Sequence, residues 1–390
     1  VGEEVEIIIS LKNNGTASAY DVFGLLSSSD PYIEILSDSV MFGEVGPGET
    51  VTGAFTATAY VITMPGHEAG FDIDFSGNLG IAAADDFSLF IGLFPVLILD
   101  LDQNHNSADK MKAALDDLRI FSEILDEMPE DLSQYKTIFV CLGTYSDNHI
   151  LTADEAGKLI GFLNGGGNLY MEGADTWYYD QLYSPTELHP MFNITGEDDG
   201  SNNLVTVNGI TGTFTEGLSF FFSGDNNYID HILPGEGAYS IFTNSNPVYN
   251  LAIVNDAGNY KTIGTSFEFG GLMNNLNSSR KDLMLRYLDF FGMDAITQGP
   301  LLPVGDTLAC SGSSSGIYTT HPVPDAHYYI WELLPASSGT ITGWDTTVMV
   351  EWTPGFEGTA VLKGCRMNDN GLGPLSPGLA IHHFTSPTAA

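Results

Sequence analysis

Pro95-Val96-Leu97-Ile98-Leu99-Asp100 is an unbroken apolar run that stops on an acid, and it sets how the middle of this chain is read. A strand buried on both faces needs such a run, whereas a strand with one wet face alternates. Two further runs match it: Thr137-Ile138-Phe139-Val140-Cys141-Leu142-Gly143 and Asn168-Leu169-Tyr170-Met171-Glu172. Helical patterns lie between them. Ser107 stands where a helix cap would, ahead of Met111, Ala114, Leu115 and Leu118 on one face. Thr152 and Glu155 have the spacing of a capping box before Ala156, Leu159, Ile160 and Leu163, and Gly165-Gly166-Gly167 ends that helix. Strands alternating with helices predict right-handed crossovers and a mostly parallel sheet. Further strands are expected near 204–208, 238–243, 249–254 and 260–267, with a closing helix from Ser279 to Phe291. One α/β domain over 94–297 is the economical reading.

On either side the pattern turns to short alternating strands. Over 1–93, Val5–Leu11, Tyr20–Leu26, Ile33–Leu36, Thr50–Phe55 and Phe71–Phe75 are separated by turn signals such as Asn14-Gly15, Gly46-Pro47-Gly48 and Pro65-Gly66. That spacing predicts a β-sandwich. Pro300 and Pro303 mark a linker, and strand patterns return over 298–390. The expected fold class is therefore multidomain: β-sandwich, α/β domain, β-sandwich.

The chain has 390 residues, with 50 acidic against 12 basic and a formal net charge of −38. Acidic residues outnumber basic ones in all three segments, so no single tail carries the excess. A surface of that sign repels phosphate backbones and anionic membranes and attracts divalent cations, which argues against nucleic acid as a partner. The sequence holds no apolar run long enough to span a bilayer, so no membrane insertion is expected. It opens at Val1 inside a strand pattern, which suggests a processed product or a fragment. Its three cysteines are too few for a disulfide scaffold.

Three stretches carry resemblances. "NNGTASAYDV" (13–22), "SSSDPYIEI" (27–35) and "FGEVGPGETV" (42–51) resemble the immunoglobulin-like module placed beside exported enzymes of Bacteroidetes. "VLILDLDQNHNSADKMKAALDDL" (96–118), "YKTIFVCLGTYSDNHILT" (135–152) and "LNGGGNLYMEGADTWYYD" (163–180) resemble the class I glutamine amidotransferase-like superfamily, which implies a flavodoxin-like fold. Active members of that superfamily place a Cys at the elbow after the Gly-rich turn and its strand. Here the strand runs Met171-Glu172-Gly173-Ala174-Asp175-Thr176, so the catalytic triad cannot be carried over. "ACSG" (309–312), "YYIWELLPASSGTITG" (328–343), "VMVEWTPGFEG" (348–358) and "GLGPLS" (371–376) resemble polycystic-kidney-disease-type modules of secreted Bacteroidetes proteins. The order Cys310, Trp331, Cys365 is that of an immunoglobulin-type sandwich, which implies a Cys310–Cys365 disulfide packed on Trp331 and an oxidising compartment. Cys141, inside an apolar run, is read as a free structural thiol.

In doubly wound sheets ligands bind beyond the carboxyl ends of the strands. Three such ends carry polar clusters: Asp100 to Asn106, Tyr145 to His149, and Glu172 to Trp177. Asp100, Asp102 and Asn104 space oxygen ligands at every second residue, as at the start of a calcium loop, with Glu172 and Asp175 as partners from a neighbouring strand end. Met111 stands where an EF-hand would close with Glu. Asn148, His149, Glu172, Asp175 and Trp177 are the candidate ligand-binding residues. A hydrolytic site would use Glu172 and Asp175 as the carboxylate pair with His105 or His149 as base, completed by His231 or Glu268. The competing reading is that these polar side chains cap helices and satisfy loop backbone. Ser39, Thr307 and Thr346 follow Asp in a pattern that resembles the O-glycan acceptor of exported Bacteroidetes proteins.

Two function classes follow. The first is a non-catalytic structural, adhesive or accessory region of a secreted or cell-surface protein. It would be carried by the type IX secretion route and would meet other extracellular proteins or glycans. The alternative is a glycan or peptide hydrolase using carboxylates or a metal at the strand ends.

Overall fold

The computed structural model describes residues 2–310, 314–323 and 326–384, with Cys310 described by its backbone alone. The chain forms two compact units, Val1–Leu93 and Phe94–Ala390. No helix among the described residues is long and apolar enough to cross a membrane.

The first unit holds β1 (Glu4–Lys12), β2 (Ala19–Ser27), β3 (Ile33–Ser37), β4 (Ser39–Val45), β5 (Thr50–Ala59), β6 (His67–Gly77) and β7 (Ile81–Ile91). They make two antiparallel sheets, β1-β5-β3 and β4-β2-β6-β7. The cause is legible in β6, where Ala69, Phe71, Ile73 and Phe75 are buried while Glu68, Asp72 and Asp74 face water. A period-two pattern can bury only one face. That face meets Ile7, Leu26, Phe55 and Ala57 in one core. Burying each large apolar side chain contributes about 1.5–3 kcal/mol.

In the second unit the three apolar runs do form strands, with helices between them. The elements are β8 (Val96–Asp100), α1 (Ala108–Asp117), β9 (Ser122–Leu125), β10 (Thr137–Cys141), α2 (Ala153–Asn164), β11 (Asn168–Glu172) and α3 (Tyr179–Tyr183). There follow β12 (Ile194–Asp198), β13 (Thr206–Gly209), β14 (Ser219–Phe222), β15 (His231–Pro234), β16 (Tyr239–Ser245), β17 (Val248–Asp256), β18 (Lys261–Thr265), β19 (Leu272–Met273) and α4 (Arg280–Phe291). Ten of these strands form one sheet in the order β19-β14-β13-β16-β17-β18-β11-β10-β8-β9, and β12 pairs separately with β15.

The expectation of a flavodoxin-like, mostly parallel sheet is overturned. Four of the pairings are parallel: β9–β8, β8–β10, β10–β11 and β11–β18. The other five, from β18 through β17, β16, β13 and β14 to β19, are antiparallel. Strand makes up 44% of the described residues and helix 14%, too little helix to cover both faces of a doubly wound sheet of this width. The physical reason is loop length. A parallel connection needs a crossover of a dozen or more residues. Only Asn246-Pro247 joins β16 to β17, and only Ala257 to Tyr260 joins β17 to β18, so those strands must return as hairpins.

Helices α1 and α4 cover one face, where Met111, Leu115, Leu283, Met284 and Tyr287 pack on Ile98, Phe139 and Tyr170. Helix α2 covers the other, with Leu159, Phe162 and Leu163 against Leu97, Val140 and Met171. The capping box of α2 forms as read, Thr152 Oγ1 accepting from the Glu155 amide and Glu155 from the Thr152 amide. Ser107 departs from expectation. Its hydroxyl makes no cap bond to α1 and instead accepts the Gly270 N–H at 2.9 Å.

The remaining strands are β20 (Leu308–Cys310), β21 (Ser315–Thr319), β22 (Tyr328–Leu334), β23 (Gly339–Thr342), β24 (Thr347–Trp352), β25 (Gly358–Asn368), β26 (Gly371–Leu372) and β27 (Leu379–Phe384). They form sheets β20-β27-β25-β22, with β26 on β25, and β21-β24-β23. Tyr318, Trp331, Val350, Leu362 and Ile381 share their core. The seam to α1 is backbone-made: Phe121 N–H donates to the Asn370 carbonyl and Leu372 N–H to the Arg119 carbonyl, both at 2.9 Å. Gly371 lies so close to the Arg119 carbonyl that a side chain there would collide with it.

The expected Cys310–Cys365 disulfide does not form, and Cys365 is a buried free thiol. Cys310 pairs with Phe384 of β27, whose neighbour His383 pairs with Gly358 at the start of β25. Cys365 lies seven residues further along β25 (358 to 365), about 23 Å at the strand rise, far beyond disulfide reach. Both cysteines stand in one sheet rather than facing each other across two. Trp331 packs instead over Gly364, and its Nε1–H donates to the Asp345 carbonyl at 2.9 Å. Of the residues in the glycan-acceptor pattern, Ser39 and Thr307 are exposed and Thr346 is half-buried.

Two thiol measurements check this arrangement. A maleimide should label neither Cys141 nor Cys365 in the native chain and both after unfolding in urea. A reductant should leave the melting temperature unchanged, whereas losing a disulfide would remove about 2–4 kcal/mol.

Candidate functional site

The four inner parallel strands end on one rung. Asp100 pairs with Cys141, Cys141 with Glu172, and Glu172 with Thr265. Residues in parallel register present the same face, so two carboxyl groups flank a thiol. Cys141 Sγ rests 3.9 Å from Met111 Sδ. Burial, with Glu172 and Asp100 beside it, pushes the thiol well above its ordinary range. Without a thiolate it is no nucleophile. Glu172 is fully buried, and its Oε2 accepts from Tyr170 OH at 2.7 Å and from the Phe269 N–H at 2.8 Å. Burial, reinforced by the Glu268 carboxylate, pushes its pKa up to about 8. It is a sealed, neutral acid at pH 7.

The loop after β8 gathers a different set from the one expected. Asp100 Oδ2 lies 2.9 Å from His105 Nδ1, and Asp102 Oδ1 accepts the His105 backbone N–H at 2.5 Å. His105 sits at φ 54°, a left-handed conformation that turns its ring back over both aspartates. Asn104 turns away. Its Oδ1 accepts the Asn106 N–H at 3.1 Å, while its Nδ2 donates to Asp225 Oδ2 at 2.9 Å and toward Glu268 Oε1 at 3.5 Å. Asn106 Nδ2 donates to Glu268 Oε2 at 3.1 Å, and burial raises Glu268 to about 7. Asn104 Oδ1 is therefore engaged away from Asp100 and Asp102, while Glu172 Oε2 is held by Tyr170 and Phe269 and Asp175 lines a cavity. Asp100, Asp102 and His105 are brought together, with one ligand atom of each within 4.8 Å of the others.

Beside this corner opens a cavity of about 430 Å³, with Tyr145, Tyr179 and Tyr228 as its aromatic lining and Asp175, Asp180 and Asp199 as its acids, completed by Asn148 and Ile150. Loops after β10 and β11, helix α3, and the segments next to β12 and β15 supply these residues. The rings of Tyr145 and Tyr228 meet edge to face at 5.9 Å. Asp175 is buried and its Oδ2 has no hydrogen-bond partner. Burial and the nearby Asp199 raise Asp175 to about 6, and burial with Asp175 raises Asp180 to about 7. Beneath them Asp230 accepts the Trp177 and Tyr178 amides on Oδ2, each at 2.8 Å, and burial pushes it up to about 9.

Of the expected ligand-binding residues, Asn148 and Asp175 reach this cavity. His149 instead binds the capping Glu155 at 3.0 Å. Trp177 is a buried wedge, its Nε1–H on the Thr265 carbonyl at 2.9 Å and its ring 5.0 Å from Phe192. Glu172 is sealed, so the carboxylate pair Glu172 and Asp175 is not open to a substrate. His231 stacks on Tyr249 at 3.8 Å, and Glu268 stays with the asparagines. Sequence reading placed Tyr145 in the polar cluster after β10 but missed Tyr179, Asp180, Asp199 and Tyr228 as cavity residues. Tyr179 and Asp180 open α3, seven and eight residues past the end of β11. Asp199 and Tyr228 arrive through the β12–β15 pair, which has no sequence signature.

No family model matches the chain, and no curated protein matches it. Among solved structures, it is similar to the mmIFT52 N-terminal domain at 14% identity and a TM-score of 0.36, over 51% of this chain and 96% of that one. It is also similar to the exo-β-1,4-mannosidase Op5Man5 from Opitutaceae bacterium strain TAV5, at 12% identity and a TM-score of 0.34. There it covers 53% of this chain and 34% of that one. The β-glucuronidase of Bacteroides uniformis aligns at 9% identity and a TM-score of 0.25, over 98% of this chain and 60% of that one. Likenesses this low leave the chemistry of the site to its own geometry.

Asp230 gives a stability test whose sign is fixed. The folded carboxyl keeps its proton up to about 9, while an unfolded one releases it near its ordinary value of 3.8. The folded state therefore holds the extra proton across that window, and stability falls as pH rises through it. Asp230→Asn keeps an acceptor for both amides and should flatten the decline in melting temperature between acid and alkaline pH. Asp230→Ala strands the Trp177 and Tyr178 N–H groups and should cost on the order of 2–5 kcal/mol at acid pH, a cost that shrinks as pH rises because the variant lacks the titrating group.

Proposed function

We propose that this chain is a non-catalytic recognition region of an exported or cell-surface protein, and that the tyrosine-lined cavity of its second unit binds a glycan. The observation that carries the reading is the pairing of partly exposed rings, Tyr145 at 56%, Tyr179 at 45% and Tyr228 at 48%, with the unpartnered oxygens Asp175 Oδ2 and Asp199 Oδ1 in the same lining. A sugar ring offers an apolar C–H face that stacks on an aromatic ring and hydroxyls that donate to carboxylates. A cavity of 430 Å³ lies in the range used for small ligands. The elbow after β11 offers Gly173, Ala174 and Asp175 rather than a nucleophile, and Cys141 is buried, which supports binding over turnover. An extracellular or outer-surface setting, and a type IX secretion route, rest on the charge of −38 and on the resemblance of the flanking modules. Other surface proteins are the second class of partner on this reading.

One observation favours a hydrolytic second reading. Asp175 at about 6 and Asp180 at about 7 share the cavity, and carboxyl groups held apart in protonation can serve as base and acid. Calorimetry of the full chain against a panel of neutral and charged oligosaccharides tests both. The expected result is saturable binding, with Tyr145→Ala and Tyr228→Ala each weakening it at least tenfold, about 1.4 kcal/mol. Release of shortened sugars, abolished by Asp180→Asn, would replace binding with hydrolysis. Absence of binding across the panel, or binding indifferent to both tyrosines, would end the glycan reading.

A further inference from the structure

We propose that Asp100, Asp102 and His105 form a binding site for one divalent cation of mixed oxygen and nitrogen preference, with Zn²⁺ as the fitting ion. The three come from one loop after β8, in the spacing Asp-x-Asp-x-x-His. One ligand atom from each lies within 4.8 Å of the others. His105 Nδ1 stands 2.9 Å from Asp100 Oδ2 and 4.0 Å from Asp102 Oδ1. An ion with ligands at about 2.0–2.2 Å in tetrahedral array needs them about 3.3–3.6 Å apart, and the two observed separations bracket that range.

A second, independent observation points to a missing ligand. Asp100 is 6% exposed and Asp102 2%, yet Asp100 Oδ1 and Asp102 Oδ2 have no hydrogen-bond partner. Each free oxygen shares its carboxyl carbon with the oxygen that faces His105. Burying a carboxylate oxygen without a donor or a counter-charge is expensive. Among the described residues, no lysine or arginine pairs with either aspartate. The imidazole side chain is 58% exposed, so it stands at the mouth with the carboxyls behind it, an arrangement that leaves an ion a way in.

The donor set selects among cations. Calcium takes six to eight oxygens, and the expected third oxygen, Asn104 Oδ1, is occupied by the Asn106 amide at 3.1 Å. Two carboxylates and an imidazole suit zinc with one position left open. The site is separate from the tyrosine-lined cavity and does not depend on the glycan reading.

The test is calorimetric titration of the metal-stripped chain with ZnCl₂, in buffer holding enough NaCl and MgCl₂ to saturate the diffuse attraction of a −38 chain. Stripped protein loaded with Co²⁺ supplies a spectroscopic check, since bound imidazole and carboxylate ligands give visible bands that a screening ion lacks. The expected result is one equivalent of Zn²⁺, weakened at least thirtyfold in His105→Ala and in Asp102→Asn, with the Co²⁺ bands lost in both. Asp102 also accepts the His105 amide, so its variant alone could fail through folding. His105→Ala removes an exposed ring and keeps the test open. Zinc uptake that survives His105→Ala, or that magnesium abolishes, would overturn the site. Tighter binding of Ca²⁺ than of Zn²⁺ would overturn the choice of ion.

Discussion

The second unit is organised around carboxyl groups buried at the ends of apolar strands without a basic partner. Among the described residues, Glu172, Asp175, Asp180, Asp230 and Glu268 make no ion pair. A buried ionised carboxylate of this kind would cost several kcal/mol, so each group is neutralised by a proton, by backbone amides, or by something bound. Glu172 and Asp230 take the first two routes and hold the architecture. Asp175 and Asp180 line the cavity instead.

The sheet explains why these groups converge. Its parallel half needs strands buried on both faces, and α1, α2 and α4 cover them with apolar stripes. Acids are absent from β8, β10 and β11 until the last rung, where Asp100 and Glu172 stand. Its antiparallel half is built from hairpins, which carry no helix and leave their loops free. The β12–β15 pair uses that freedom to bring Asp199 and Tyr228 up to the loops after β10 and β11. The residues lining the cavity therefore come from four separated stretches of chain, each next to a strand end.

Legibility in the sequence follows the same physics. Strands β8, β10 and β11 and the capping box of α2 are readable because burial on both faces and helix capping each demand a local pattern. The direction of β16, β17 and β18 was misjudged because apolarity does not encode pairing direction, whereas the two residues Asn246-Pro247 do, through their shortness. The disulfide failed for a related reason: the order Cys310, Trp331, Cys365 says nothing of register, and β20 joins the sheet at the far end of β25. Within the site, residue types were read better than orientations. Asp100 and Asp102 do share a corner, but a left-handed turn at His105 puts a ring where Asn104 was expected.

The central claim is that the acids beneath the cavity are held neutral by burial rather than by counter-charge, and carboxyl-selective carbon-13 NMR of Asp and Glu side chains across pH tests it most directly. The account predicts that the Asp230 and Glu172 resonances still report the protonated acid at pH 7. Finding Asp230 and Glu172 already ionised at pH 6 in the folded, ligand-free chain would contradict it.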